Sequence, residues 1–142
     1  MKKINRNALL PYSAEAMFGI VNDVNAYPEF LPWCNGAEVL ESSEHKMIAK
    51  VGIAKAGISQ YFTTENKLVY GERIELSLID GPFSHLHGVW TFKALDKSAC
   101  KIELELEFEV SNSLLNMALS SVFEQVVSTM VQSFCERAKN IL

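Results

Sequence analysis

Two histidines one residue apart, His85 and His87, are the first feature of this sequence that could do chemistry. On a strand such a pair points the same way, a geometry able to chelate a cation. Chelation needs a third donor, and none is apparent nearby. A pair on the wet face of a strand is the plainer reading. Glu103, Glu105, Glu107 and Glu109 form a row that could furnish paired carboxylates for acid–base work. They alternate strictly with Ile102, Leu104, Leu106, Phe108 and Val110, so the acids share one side of a strand and read as a solvated stripe. The three cysteines, Cys34, Cys100 and Cys135, are odd in number and far apart. With no Cys-x-x-Cys or Cys–His spacing they read as free thiols in a reducing cytoplasm. The sequence has neither a Gly-rich phosphate loop nor a Gly-x-Ser-x-Gly elbow. Nothing pairs a nucleophile with a base or completes a metal set, so the expectation is binding without catalysis.

The elements that position these residues follow from periodicity. Residues 2–9 form a first strand. Ser13 is a candidate N-cap, Glu15 suits the first turn, and Ala16, Met17, Ile20, Val21 and Val24 follow at helical spacing to about Asp23. The prolines of Tyr27-Pro28-Glu29-Phe30-Leu31-Pro32-Trp33-Cys34 forbid a long helix there and predict a short helical turn with an unusually apolar loop. From Gly36 the period becomes two. Strands are expected at 36–43, 46–56, 59–70, 72–79, 86–96 and 100–110, and their short links require an antiparallel meander. Ile74, Leu76 and Leu78 repeat the alternation of the last strand. Asn112 and Ser113 then offer caps for a helix running nearly to Leu142. Its stripe comprises Leu115, Leu119, Val122, Val126, Met130, Phe134, Ala138 and Ile141, widened by Phe123, Val127, Val131 and Cys135. About 28 residues make it ~42 Å long. The fold class is α+β: one curved antiparallel sheet with a long C-terminal helix across its concave side, in a single domain spanning 1–142.

That architecture predicts a cavity. Strands of 10–12 residues must twist and curl, and Gly52, Gly57, Gly71 and Gly88 are placed to serve bends or bulges. A curled sheet and a straight helix touch along a line, leaving space for side chains, water or a ligand. The Phe30-Leu31-Trp33 loop and the Asp80-Gly81-Pro82-Phe83 turn are expected at its rim, because an apolar loop on a surface marks a contact site. Trp90 and Phe92 share a face with Leu86 and Gly88. Taken singly, each of these aromatics reads as core.

Composition narrows the partners. The chain has 142 residues, 49% of them apolar, and a formal net charge of −4. That balance supports a real core and gives no electrostatic reason to bind DNA or another polyanion. No uncharged apolar run approaches the ~20 residues of a transmembrane helix. The amino terminus has no signal-peptide h-region, so a cytoplasmic location is expected.

Two segments carry a family resemblance: Pro11-Tyr12-Ser13-Ala14-Glu15, and Val21-Asn22-Asp23-Val24-Asn25-Ala26 running on through Tyr27–Cys34. With Phe62-Thr63-Thr64-Glu65-Asn66, Asp80-Gly81-Pro82-Phe83 and Leu86–Phe92, nearly the whole chain resembles the START-like family of coenzyme Q-binding proteins and polyketide cyclases. Within it the likeness extends to the bacterial ribosome-association toxins. The resemblance implies a helix-grip (Bet v 1-like) fold with an apolar tunnel under the last helix. It implies two activities: binding ubiquinone or a related isoprenoid lipid in support of respiration, and binding the large ribosomal subunit so that subunit joining is blocked. The first is the leading expectation, the second the alternative, and a cyclase-like enzyme the third. No cofactor is required, a bound ubiquinone is expected, and membrane contact would be transient. The prenyl tail is expected along Leu104, Leu106, Phe108, Val122, Val126 and Met130, with Trp33, Phe83 and Trp90 nearer the opening and Phe30, Leu31 and Phe62 completing the ligand-binding set.

Overall fold

A computed structural model describes residues 1–111 and 114–142, with the side chains of all of these except 114–116. The expected caps Asn112 and Ser113 and the side chain of Leu115 lie outside the described residues. Strands β1 (Lys2–Leu10), β2 (Cys34–Ser42), β3 (Lys46–Lys55), β4 (Ile58–Val69), β5 (Arg73–Asp80), β6 (Phe83–Asp96) and β7 (Ala99–Val110) form one sheet. Its order is β1-β7-β6-β5-β4-β3-β2, and every pairing is antiparallel. The meander of β2 to β7 is therefore as the short links predict, and β1 adds to its β7 edge. Helix α1 (Ala14–Asn22) begins at Ser13, whose Oγ accepts from Ala16 N–H at 3.1 Å. A 3-10 turn (Val24–Ala26) and a four-residue helix α2 (Tyr27–Phe30) follow, and α3 (Leu114–Ile141) closes the chain.

The sheet curls through register shifts between Cys34/Gly36, Val39/Glu41, Thr63/Thr64, Phe83/His85 and Ala94/Asp96. Of the glycines expected to bend it, Gly52 stands at one of these shifts, opposite the bulge at Asn35. Gly57 and Gly71 instead occupy tight turns at φ +81° and +72°, the left-handed region where a Cβ is strained. Gly52 lies in mid-strand opposite Tyr61, where a Cβ would come within 2.8 Å of the ring.

Alternation along β7 buries Ile102, Leu104, Leu106 and Phe108 and turns the Glu103–Glu109 row outward. The inner face receives α3 through Leu119, Val122, Phe123, Val126, Val127, Val131, Phe134 and Ala138, all buried. Met130 and Cys135 are half-buried at the edge of this stripe. Ile141, placed on the stripe by its spacing, is 52% exposed. The periodicity simply outruns the sheet at the last turn. Lys2 pairs with Glu124, tying the edge strand to the helix.

Candidate functional site: a cavity between two aromatic clusters

Two groups of rings pack between α3 and the sheet. Around Phe123 stand Phe83 and Phe108, each with ring centroids 4.8 Å away, and Phe62 at 5.8 Å. Around Phe134 stand Tyr27 at 5.4 Å, Phe30 at 5.6 Å and Trp90 at 5.4 Å. All these contacts are edge-to-face, the arrangement that the ring quadrupole favours. From Phe123 to Phe134 the helix rises roughly 16 Å. In that stretch it turns Val126, Val127 and Met130 to the sheet instead of rings, and there the interior opens. Smaller side chains between two bulky clusters leave the gap.

The sheet wall of the cavity is Ala49 and Val51 from β3, Phe62, Thr64 and Asn66 from β4, Ile74 and Leu76 from β5, Leu86 and Trp90 from β6, and Leu104 and Leu106 from β7. The end wall is Val21 and Asn22 closing α1, then Val24, Tyr27 and Trp33. About 70 Å³ is open to the centres of water-sized molecules. At ~10–15 Å³ for one water, that is room for roughly five, about the bulk of one aromatic ring. The space is smaller than a long prenyl chain, so where a tunnel is expected this structure has a small chamber.

Of the expected ligand-binding residues, Trp33, Phe62, Trp90, Leu104, Leu106, Val126 and Met130 do meet on this wall. Phe30, Leu31, Phe83, Phe108 and Val122 do not. Phe83 and Phe108 sit behind Phe123, and Val122 is buried in the core. In the loop expected at the rim, Leu31 is 1% and Trp33 6% exposed, while Phe30 is half-buried and Pro32 exposed. Backbone bonds fold it inward, from Leu31 N–H to Tyr27 O and from Cys34 N–H to Leu31 O, both 2.9 Å. Ala54 N–H to Trp33 O, 2.8 Å, then pins the tryptophan to the end of the β2–β3 ladder. Phe30 packs on Phe134 under Arg137, whose guanidinium lies 4.8 Å from its ring. The loop is apolar because it caps the core.

The polar part of the wall was missed by periodicity. Thr64 and Asn66 take inward positions on β4 and are buried, with Thr64 Oγ1 donating to Asn66 Oδ1 at 2.7 Å. Asn22 Oδ1 and Trp33 Nε1 are buried without a hydrogen-bond partner among the described residues. Tyr27 donates its hydroxyl to the Val21 carbonyl, and burial, then Cys34 and Asp23, hold its pKa far above that of an exposed phenol. Burial also raises the thiols of Cys34, Cys100 and Cys135, which are free. The inward Thr-x-Asn of β4 was visible in the sequence as a polar interruption of an apolar register. The orphaned nitrogen of Trp33 had no signal there.

The chemistry-bearing residues lie on the other side of the sheet. His85 Nε2 is 3.0 Å from Glu107 and His87 Nε2 is 3.2 Å from Glu75, each pair half-buried on the outer face. Among the described residues no group of three His, Cys, Asp or Glu could hold a metal.

Comparisons with known proteins agree with this architecture. Residues 10–135 match the family model described as polyketide cyclase / dehydrase and lipid transport. The ribosome association toxin RatA of Pseudomonas aeruginosa is 54% identical over 138 residues, 97% of this chain and 96% of its own length. The mitochondrial coenzyme Q-binding protein COQ10 homolog B of Xenopus laevis is 30% identical over 142 residues, covering 96% of this chain and 58% of its own. Among solved structures, the Zhui aromatase/cyclase from Streptomyces sp. R1128 superposes with a TM-score of 0.84 at 16% identity, over 97% of this chain and 93% of its own, a likeness of fold. A helix gripped by a curled sheet, and sequence identity along nearly its whole length, make this chain a member of the START-like polyketide cyclase and lipid-transport family, with the RatA ribosome association toxins among its relatives.

Proposed function

We propose that this chain is a non-catalytic, cytoplasmic binding protein directed at the ribosome, engaging the large subunit and opposing its association with the small one. The observation that carries this reading is the 54% identity to a ribosome association toxin along 97% of the chain. It reverses the order expected from the sequence, where composition favoured the lipid. With a net charge of −4, the contact is to ribosomal proteins or to a local basic patch rather than to phosphates at large. The wall of the cavity supports a binder over a cyclase. Among the described residues it carries Asn22, Tyr27, Trp33, Thr64 and Asn66 as polar groups and no carboxylate, imidazole or amine to move a proton. Sedimentation of ribosomes with added protein tests the reading. Free subunits should accumulate at the expense of assembled ribosomes, and an unchanged assembled population overturns it.

The apolar wall favours a second reading beside the first, binding of an isoprenoid lipid such as ubiquinone with no more than part of it under α3. The wall is almost wholly apolar, and a coenzyme Q-binding relative matches 96% of the chain. Organic extraction of the purified protein with mass spectrometry checks it; protein that neither carries nor takes up quinone counts against it. Among the described residues no helix is long and apolar enough to cross a membrane, so lipid would be exchanged through transient contact.

A further inference from the structure

On the outer face of the sheet, Gly36, Gly52 and Tyr61 stand opposite one another on β2, β3 and β4. A Cβ at Gly52 would come within 2.8 Å of Tyr61 Cε1, and one at Gly36 within 3.8 Å of Cε1 and of the hydroxyl oxygen. The tyrosine therefore reaches over both neighbouring strands on a floor of glycine. A Cβ at Gly52 would also collide with Oδ1 of Asn35, the residue bulged out of β2 between Cys34 and Gly36. Lys50 Nζ lies over the Tyr61 ring, 5.0 Å from its centroid. Glu38 is the register partner of Lys50 on β2, yet Lys50 makes no ion pair among the described residues. Shielding of glycine backbone accounts for the edge of the ring that rests on β3. It leaves the rest unexplained: Tyr61 is 49% exposed, and the exposed Asn35 side chain has no hydrogen-bond partner among the described residues.

We propose that Tyr61, Asn35 and Lys50 form a docking surface for one unpaired nucleotide of RNA, its base stacked on Tyr61, its base edge bonded to the Asn35 amide and its phosphate met by Lys50 Nζ. Each group supplies one part of what such a nucleotide needs: a π surface, an amide that both donates and accepts, and a free cation. The proposal rests on the ribosome-directed reading and names ribosomal RNA as the partner at this face. Stacking also fits the net charge of −4, because it requires no attraction to the phosphate backbone at large.

Titration of the intact protein with a single-stranded adenylate hexamer, followed by NMR, tests the surface. The Tyr61 ring and Asn35 side-chain amide signals should shift, and an inorganic polyphosphate of similar charge should bind about tenfold more weakly. Tyr61→Leu should weaken hexamer binding about tenfold, whereas Tyr61→Phe keeps the ring and should stay within about twofold. One phosphate contact on a single strand gives a slope of about −0.7 in log affinity against log salt, and Lys50→Gln should remove it. Gly52→Ala, which displaces Tyr61 and Asn35 without replacing either, should reproduce the loss and serves as the second variant. In ribosome sedimentation, Tyr61→Leu should need about tenfold more protein to free the same share of subunits. Equal binding of hexamer and polyphosphate, or undiminished hexamer binding by Tyr61→Leu, overturns the surface; the ribosome reading still stands if the original chain frees subunits. Weakened subunit release without any hexamer binding would put a ribosomal protein on this face, which also overturns the proposal. Hexamer binding by a chain that leaves ribosomes assembled overturns the ribosome reading, and ribosomal RNA as the partner with it.

Discussion

Thr64 Oγ1 donates to Asn66 Oδ1 across 2.7 Å on the inner face of β4, the two residues 6% and 5% exposed in a mostly apolar wall. Thr64→Val keeps the shape and removes the donor, leaving a buried amide oxygen unmatched at a cost of about 1–3 kcal/mol. Thr64→Val with Asn66→Leu removes the unmatched group as well, so the double variant should lose less than the sum of the singles. Urea denaturation of the four proteins checks this. Strict additivity would mean the pair contributes nothing as a pair.

Phe134 is the one ring that Tyr27, Phe30 and Trp90 all meet edge-on, and it is fully buried. Phe134→Ala should cost about 3–5 kcal/mol by cavity formation. Phe134→Leu, which keeps most of the apolar bulk, should cost clearly less. Thermal denaturation followed by calorimetry would rank them. Equal losses would locate the contribution in the edge-to-face geometry rather than in volume.

The strands and the length of α3 were legible because each buries one face, and a buried face writes its period into the sequence; short links gave the meander of β2 to β7 but not the pairing of β1 with β7. Leu104 and Leu106 were placed on the wall for that reason. Phe30 and Leu31 were misplaced because a loop has no period. Its apolar content shows only that it touches something, and for Phe30 that neighbour is the protein's own Phe134. Phe83 and Phe108 share the inward face with Trp90, yet alternation cannot say that Phe123 would fill the space in front of them. Distance along a strand separates wall from packing only once the helix register is known. The same gap hid Trp33 Nε1, since an unsatisfied group is a property of its surroundings.

Tyr27 makes stability pH-dependent in the alkaline range. Below the ordinary phenol value of ~10 the folded and unfolded chains both keep the proton. Above it the unfolded chain releases the proton while burial holds it on the folded one, so stability falls as pH rises, by up to about 1.4 kcal/mol per pH unit. The raised thiols of Cys34, Cys100 and Cys135 act in the same direction from a lower pH. Urea midpoints between pH 8 and 11 should therefore decline, beginning in the thiol range and steepening above pH 10. Tyr27→Phe loses the bond to the Val21 carbonyl, about 1 kcal/mol at neutral pH, and should flatten the steeper part. An unchanged slope would mean that Tyr27 ionises freely in the folded protein.

Val126 is 1% exposed and faces the chamber from α3 between the two aromatic clusters, so its replacement tests whether cavity and ribosome act through one surface. Val126→Phe puts a ring where the chamber has room for about one. Overpacking of a well-filled core costs about 1–3 kcal/mol, and part of the added bulk here enters existing space, which places the loss toward the lower end. Lipid uptake should be lost at protein concentrations where the original chain is saturated. The effect on ribosome assembly should persist, because the substitution is buried and leaves the outer surface unaltered. Gradient sedimentation and ligand extraction on the same preparation measure both. Loss of both activities in a variant that still melts cooperatively would show that a filled cavity controls the ribosome-facing shape of the protein, and the two readings would become one mechanism.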